Sequence, residues 1–142
     1  MKLKFITPTK EEPVYRATVH KTGKIGLTIQ TANQFGIRID KSIALAINEE
    51  DPNDTSIYGI LYEKGVPDTY RILKGGDYHS INAKSFFDTA RIDYYNNNLS
   101  YNVTEITIDG SKVLKFSQKV IEKNTETATL LQKTEVKEEI NE

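Results

Sequence analysis

Thr22-Gly23-Lys24-Ile25-Gly26-Leu27, followed by Phe35-Gly36-Ile37, is the stretch that decides the fold. Gly23 supplies a turn, because glycine enters positive φ without steric cost. Ile25, Leu27 and Ile29 then alternate with other residues, which is the period of a half-buried strand. Thr31 to Phe35 has room for one helical turn, and Gly36 is placed to end it. A further apolar alternation follows at Ile43, Leu45 and Ile47. The spacing predicts a turn, a strand, a helical corner and a second strand.

Working outward, Val14 to His20 reads as the strand that enters this turn, with Val14, Arg16, Thr18 and His20 on one side and Tyr15, Ala17 and Val19 on the other. Strands are expected over Lys24–Ile29, Ser42–Asn48 and Ser56–Tyr62, separated by the polar loop Glu49-Glu50-Asp51-Pro52-Asn53-Asp54. After the turn Gly65-Val66-Pro67-Asp68 the plan repeats loosely. Tyr70–Leu73, the turn Gly75-Gly76-Asp77 and Tyr78–Ile81 come first. Asn82 is placed to cap a short helix through Asp88, and Ile92 takes the part of Ile37. Asn96-Asn97-Asn98 reads as a turn, and Leu99–Ile108 and Lys112–Phe116 form a hairpin about Asp109-Gly110. The reading is a mostly β domain with short helices over residues 1–116, in halves 14–62 and 70–116. Residues 117–142, rich in Thr, Lys and Glu and without Gly or Pro, form a charged tail, disordered or weakly helical.

Composition narrows the function. The chain has 142 residues and no cysteine, which excludes disulfides and thiolate metal sites. No apolar run reaches membrane-spanning length, so a cytoplasmic protein without membrane contact is expected. Net charge is −1, but residues 1–41 hold eight Lys and Arg against three acids. A basic first third suits a phosphate backbone. The signs of an enzyme are weak. His20 and His79 have no companion ligand at a metal spacing, Thr22-Gly23-Lys24 lacks the framing residues of a phosphate loop, and no serine sits in a nucleophile elbow. No cofactor is implied.

Val19, Thr22, Gly23, Lys24, Ile25, Leu27, Phe35, Gly36, Ile37, Ile43 and Leu45 together resemble the AbrB family of bacterial swapped-hairpin transcription regulators. The likeness covers roughly residues 14–48, and residues 70–108 read as a second, degenerate copy. It implies a small barrel of two interlocked halves, closed within one chain as a pseudo-dimer or between two chains as a homodimer. It also implies DNA as partner. Arg16, Lys21, Lys24, Asn33, Gln34, Arg38 and Lys41 are the expected DNA-binding residues, with Lys2, Lys4 and Lys10 as further phosphate contacts. In this reading lysines and arginines meet phosphates, Asn33 and Gln34 lie nearest the bases, and Tyr15, Tyr94 and Tyr95 have the rings to stack on unpaired bases. The chain departs from the family pattern at Ala17, Ala32 and Asn33, where arginines are frequent, at Thr28, where proline is usual, and at Asp77, whose carboxylate would repel phosphate. Some family members are antitoxins whose acidic tails wrap a partner, so the alternative is a protein-interaction module working through residues 117–142.

Overall fold

The computed structural model describes residues 1–8 and 13–119; Lys10 and residues 120–142 of the expected tail lie outside them. Eight antiparallel strands close into a barrel. In chain order they are β1 (Tyr15–Val19), β2 (Lys24–Thr28), β3 (Lys41–Ile47), β4 (Ile57–Glu63), β5 (Tyr70–Gly75), β6 (Tyr78–Asn82), β7 (Ser100–Ile108) and β8 (Ser111–Lys119). Helix α1 (Ile29–Phe35) joins β2 to β3, and α2 (Lys84–Ala90) joins β6 to β7. Around the barrel the order is β1-β2-β6-β5-β3-β4-β8-β7, returning to β1.

That cycle has a symmetry. Exchanging β1 with β5, β2 with β6, β3 with β7 and β4 with β8 leaves every neighbour relation unchanged. The four hairpins therefore alternate by half, and each strand has one neighbour from its own half and one from the other. A twofold axis with that exchange would run between β2 and β6, whose ladder is centred on the pair Gly26–Ser80, and between β4 and β8.

Local chemistry explains the corners. The Thr28 hydroxyl caps α1 by accepting from the Thr31 N–H at 3.2 Å. The helix stops at Gly36, in the left-handed region at φ 70°, and the Ile37 N–H reaches back to the Ala32 carbonyl at 2.9 Å. Helix α2 stops in the same way fifty-five positions later, since Arg91 is left-handed at φ 58° and the Ile92 N–H bonds the Phe87 carbonyl at 2.9 Å. Asp109 and Gly110 both have positive φ, as the tight β7–β8 hairpin requires.

Two expectations need correction. Asn82 does not cap α2. It ends β6, paired with Lys24, because the β2–β6 ladder runs that far; Ala83 holds the cap position without a side-chain bond, and its N–H donates to the Gly23 carbonyl at 3.0 Å. Residues 117–119 are not tail. They continue β8, where Asn102 pairs Ser117 and Ser100 pairs Lys119.

An eight-stranded barrel encloses just enough space for side chains to fill. Here Ala17, Ile25, Leu27, Ile43, Ile57, Ile81, Tyr101 and Phe116 fill it, each 1% exposed or less. Phe86 and Phe87 of α2 extend the core, with the Phe87 ring 5.4 Å from that of Tyr94 and the Phe86 ring edge-on to Tyr70 at 6.2 Å. Tyr15 meets Phe35 edge-on at 5.3 Å on the α1 side.

Candidate nucleic-acid interface

The axis divides the outside of the barrel into two four-stranded faces. On β1-β2-β6-β5 the outward positions are Arg16, Thr18, His20, Lys24, Gly26, Thr28, Tyr78, Ser80, Asn82, Arg71, Leu73 and Gly75. Strand alternation turns Ala17, Ile25, Leu27, Ile81 and Ile72 inward and leaves this set outside. The middle row runs Thr18, Gly26, Ser80, Leu73 across the four strands. Among the described residues the face carries three permanent cations, Arg16, Lys24 and Arg71, and no carboxylate. Arg16 and Arg71 occupy matching places on the two flanking strands, each preceded by a tyrosine that meets a phenylalanine edge-on. Strand spacing and rise put their Cα atoms on the order of 20 Å apart, diagonally across the face.

A groove of about 410 Å³ lies on this face, bounded by Arg16, His20, Thr28 and Tyr78 and floored by Gly26. The absence of a side chain at Gly26 makes the groove. A Cβ there would stand 2.5 Å from His20 Nε2, so the imidazole lies against bare backbone. The Tyr78 ring is 57% exposed beside it.

The seven expected contact residues do not all gather here. Arg16 and Lys24 share the face. Lys21, in the β1–β2 turn, is exposed and donates to the Tyr95 carbonyl at 2.5 Å. Asn33 and Gln34 are exposed on α1, where Gln34 Oε1 accepts from the Tyr15 hydroxyl at 3.2 Å. Arg38 forks onto the Asp40 carboxylate at 2.9 and 2.5 Å, and that bond raises the guanidinium pKa and lowers that of Asp40. Lys41 is bound to Glu63 at 2.8 Å, next to it in the β3–β4 register. Arg38 and Lys41 thus have their charge answered within the protein. Of the tyrosines, Tyr94 is buried, Tyr15 is half-buried and Tyr95 is 69% exposed. Asp77 lies in the β5–β6 turn, outside the twelve positions.

Arg71, His20 and Tyr78 are among the face residues that sequence reading did not select. A signal for Arg71 is present in the chain: Tyr15-Arg16 recurs as Tyr70-Arg71, at the same offset as the two helix stops.

The opposite face, β3-β4-β8-β7, has another character. Ala44, Ile60, Ile106 and Val113 lie outward on it, with Tyr58, Tyr62 and Ile108 around them. Val113 is 4% exposed although it belongs to no part of the interior cluster. No helix among the described residues is long and apolar enough to cross a membrane. No family model, curated protein or solved structure matches the chain.

Proposed function

We propose that this protein is a non-enzymatic DNA-binding regulator with the architecture of a tandem swapped-hairpin, AbrB-like barrel, in which one chain supplies both halves. The carrying observation is the β1-β2-β6-β5 face, where Arg16 and Arg71 lie on the two flanking strands, Lys24 lies on β2 in the row of Arg71, and no carboxylate among the described residues opposes them. A duplex with approximate twofold symmetry matches such a pair, because phosphate contacts fix register and base contacts add selectivity. Thr28, Ser80 and Asn82 provide neutral hydrogen-bonding groups on the same surface. The exchange-invariant strand order supports the tandem reading, and the recurring Tyr-Arg pair supports the equivalence of the two arginines.

Fluorescence anisotropy with a labelled duplex tests this. Arg16→Ala and Arg71→Ala should weaken binding to similar extents, and the double variant further. Variants that bind as the parent does would contradict the proposal.

The second reading, a protein-interaction module, draws on the opposite face. Ala44, Ile60, Ile106 and Ile108 form an apolar surface of the kind that marks partner contacts, and a groove of roughly 620 Å³ at its edge is lined by Ile47, Tyr58, Ile106 and Ile108 with Glu49 and Glu50. Loss of a defined complex on Ile60→Asp, with DNA binding absent in the parent, would favour this reading over the first. The part assigned to the tail from residue 120 lies outside the described residues.

A further inference from the structure

The first six residues, Met1-Lys2-Leu3-Lys4-Phe5-Ile6, precede the barrel and belong to no strand or helix. Their apolar side chains stand clear of it: Leu3 is 68% exposed, Phe5 87% and Ile6 79%. In an extended chain successive side chains point to opposite sides, so Met1, Leu3 and Phe5 share one side and Lys2 and Lys4 the other. Residues 1–8 hold two lysines and no acid. Neither lysine is in an ion pair among the described residues. A run of large apolar side chains left in water marks a contact surface.

A surface of complementary character lies on the β3-β4-β8-β7 face. The groove there takes Ile47 from the end of β3, Tyr58 from β4, and Ile106 and Ile108 from β7. Its charged lining residues are Glu49 and Glu50, and the lining holds no Lys, Arg or His. Both carboxylates are exposed and in no ion pair among the described residues. The Tyr58 hydroxyl donates to Asp54 Oδ2 at 2.5 Å, which fixes the ring, and Lys115 Nζ stands 5.9 Å from the ring centroid, outside the lining.

We propose that residues 1–6 of one copy lie in this groove of a second copy, and reciprocally, so that two chains form an arm-exchanged dimer. Leu3 and Phe5 enter against Ile47, Tyr58, Ile106 and Ile108. Lys2 and Lys4 then turn to the rim, where their long stems bring the ammonium groups to Glu49 and Glu50. Charge selects this occupant. Residues 120–142 hold three lysines against six glutamates and would add carboxylates to an acidic rim. Arm and groove both stand uncovered in the single chain, and a twofold pair of chains covers both at once. The inference deepens the second reading above by naming the partner of that face, and it does not depend on DNA binding.

Sedimentation velocity of the full chain over a concentration series tests this. The parent should move reversibly from its 16.1 kDa monomer toward twice that mass. Phe5→Asp spoils the arm and Ile108→Asp spoils the groove, and each should raise the dissociation constant about tenfold per arm lost. Phe5 stands clear of the barrel, so Phe5→Asp should melt with the parent. An equimolar mixture of the two variants should dimerise more tightly than either alone, because an intact arm on one then meets an intact groove on the other. Lys2→Glu with Lys4→Glu should weaken the dimer, and adding Glu49→Lys with Glu50→Lys in the same chain should restore it. A parent that is monomeric throughout, a dimer unchanged by Phe5→Asp, or a mixture no tighter than its components would overturn the proposal. If Ile108→Asp does not fold, the Phe5→Asp result and the charge reversal decide. A complex with a different protein, formed by a parent that never dimerises and retained in Phe5→Asp, would keep the second reading and overturn this inference.

Discussion

Replacing Lys24 by alanine has a calculable effect on DNA binding. Lys24 is exposed at the start of β2, paired through the backbone with Asn82 and in no ion pair among the described residues. Each phosphate neutralised releases counterions, and the logarithm of affinity falls against the logarithm of salt with a slope of about −0.9 per contact. With Arg16, Lys24 and Arg71 engaged, the slope is about −2.7, a loss of roughly 40-fold between about 50 and 200 mM salt. Lys24→Ala leaves two contacts, a slope of about −1.8 and a loss of roughly 12-fold over the same range. Arg38→Ala is the internal control. Its guanidinium is held by Asp40, so its removal should leave the slope unchanged. Anisotropy titrations at four salt concentrations read these slopes. A parent slope near zero, a Lys24→Ala slope equal to the parent's, or a slope that falls only in Arg38→Ala would refute the assignment of the face.

Other outcomes concern the scaffold. Gly23→Ala places a Cβ 2.6 Å from Lys84 Cβ and 2.7 Å from its Cα at a φ of 86°; denaturant unfolding should show a loss above about 2 kcal/mol, more than the left-handed backbone alone would cost. Phe87→Ala empties a fully buried site between Phe86 and Tyr94 and should cost about 3–5 kcal/mol in the same assay. Gly26→Ala should displace the His20 ring without unfolding the barrel, visible as a His20 imidazole shift in NMR, and His20→Ala should relieve any stability loss in a double-mutant cycle. Asp54 has its pKa lowered from 3.8 on folding, so the ionised form is the better partner in the folded state. Its contribution is present above about pH 3.8 and fades as acid protonates the folded carboxyl. Asp54→Asn should therefore be less stable than the parent near neutrality, and denaturant melts should show that gap narrowing as the pH drops below the carboxylate range.

Strands and turns were legible because their causes are local. Alternation marks β1, β2 and β7, Asp109-Gly110 writes a tight hairpin, and Gly36 announces a helix stop. The matching corner was legible at Ile92, but the left-handed residue before it was not, since arginine gives no sign of left-handed backbone; there the Ile92 N–H bonds back to the Phe87 carbonyl. The length of β8 was hidden too, because Ser117 and Lys119 look polar and are held by pairing with β7. Ile47 continues the alternation of β3 yet is 50% exposed. Of the seven expected contact residues, Arg16 and Lys24, chosen because they flank the first glycine turn, lie on the β1-β2-β6-β5 face. The ion pair that occupies Lys41 depends on Glu63, twenty-two positions away, and needs the β3–β4 register to be seen. Arg71 joins the face through the long-range β2–β6 pairing, which no local pattern encodes, although the recurrence of Tyr-Arg at residues 70–71 marks it as the counterpart of Arg16.

The alternating placement of hairpins around the cycle carries a consequence for how the gene product can be divided. Neither 1–63 nor 70–119 has a contiguous sheet of its own, since the two hairpins of each are separated by those of the other. Cleavage in the exposed connection of residues 64–69 should yield two fragments that stay unstructured alone and reassemble on mixing. An ancestor encoding only one fragment would have had to find its complement in a twin molecule.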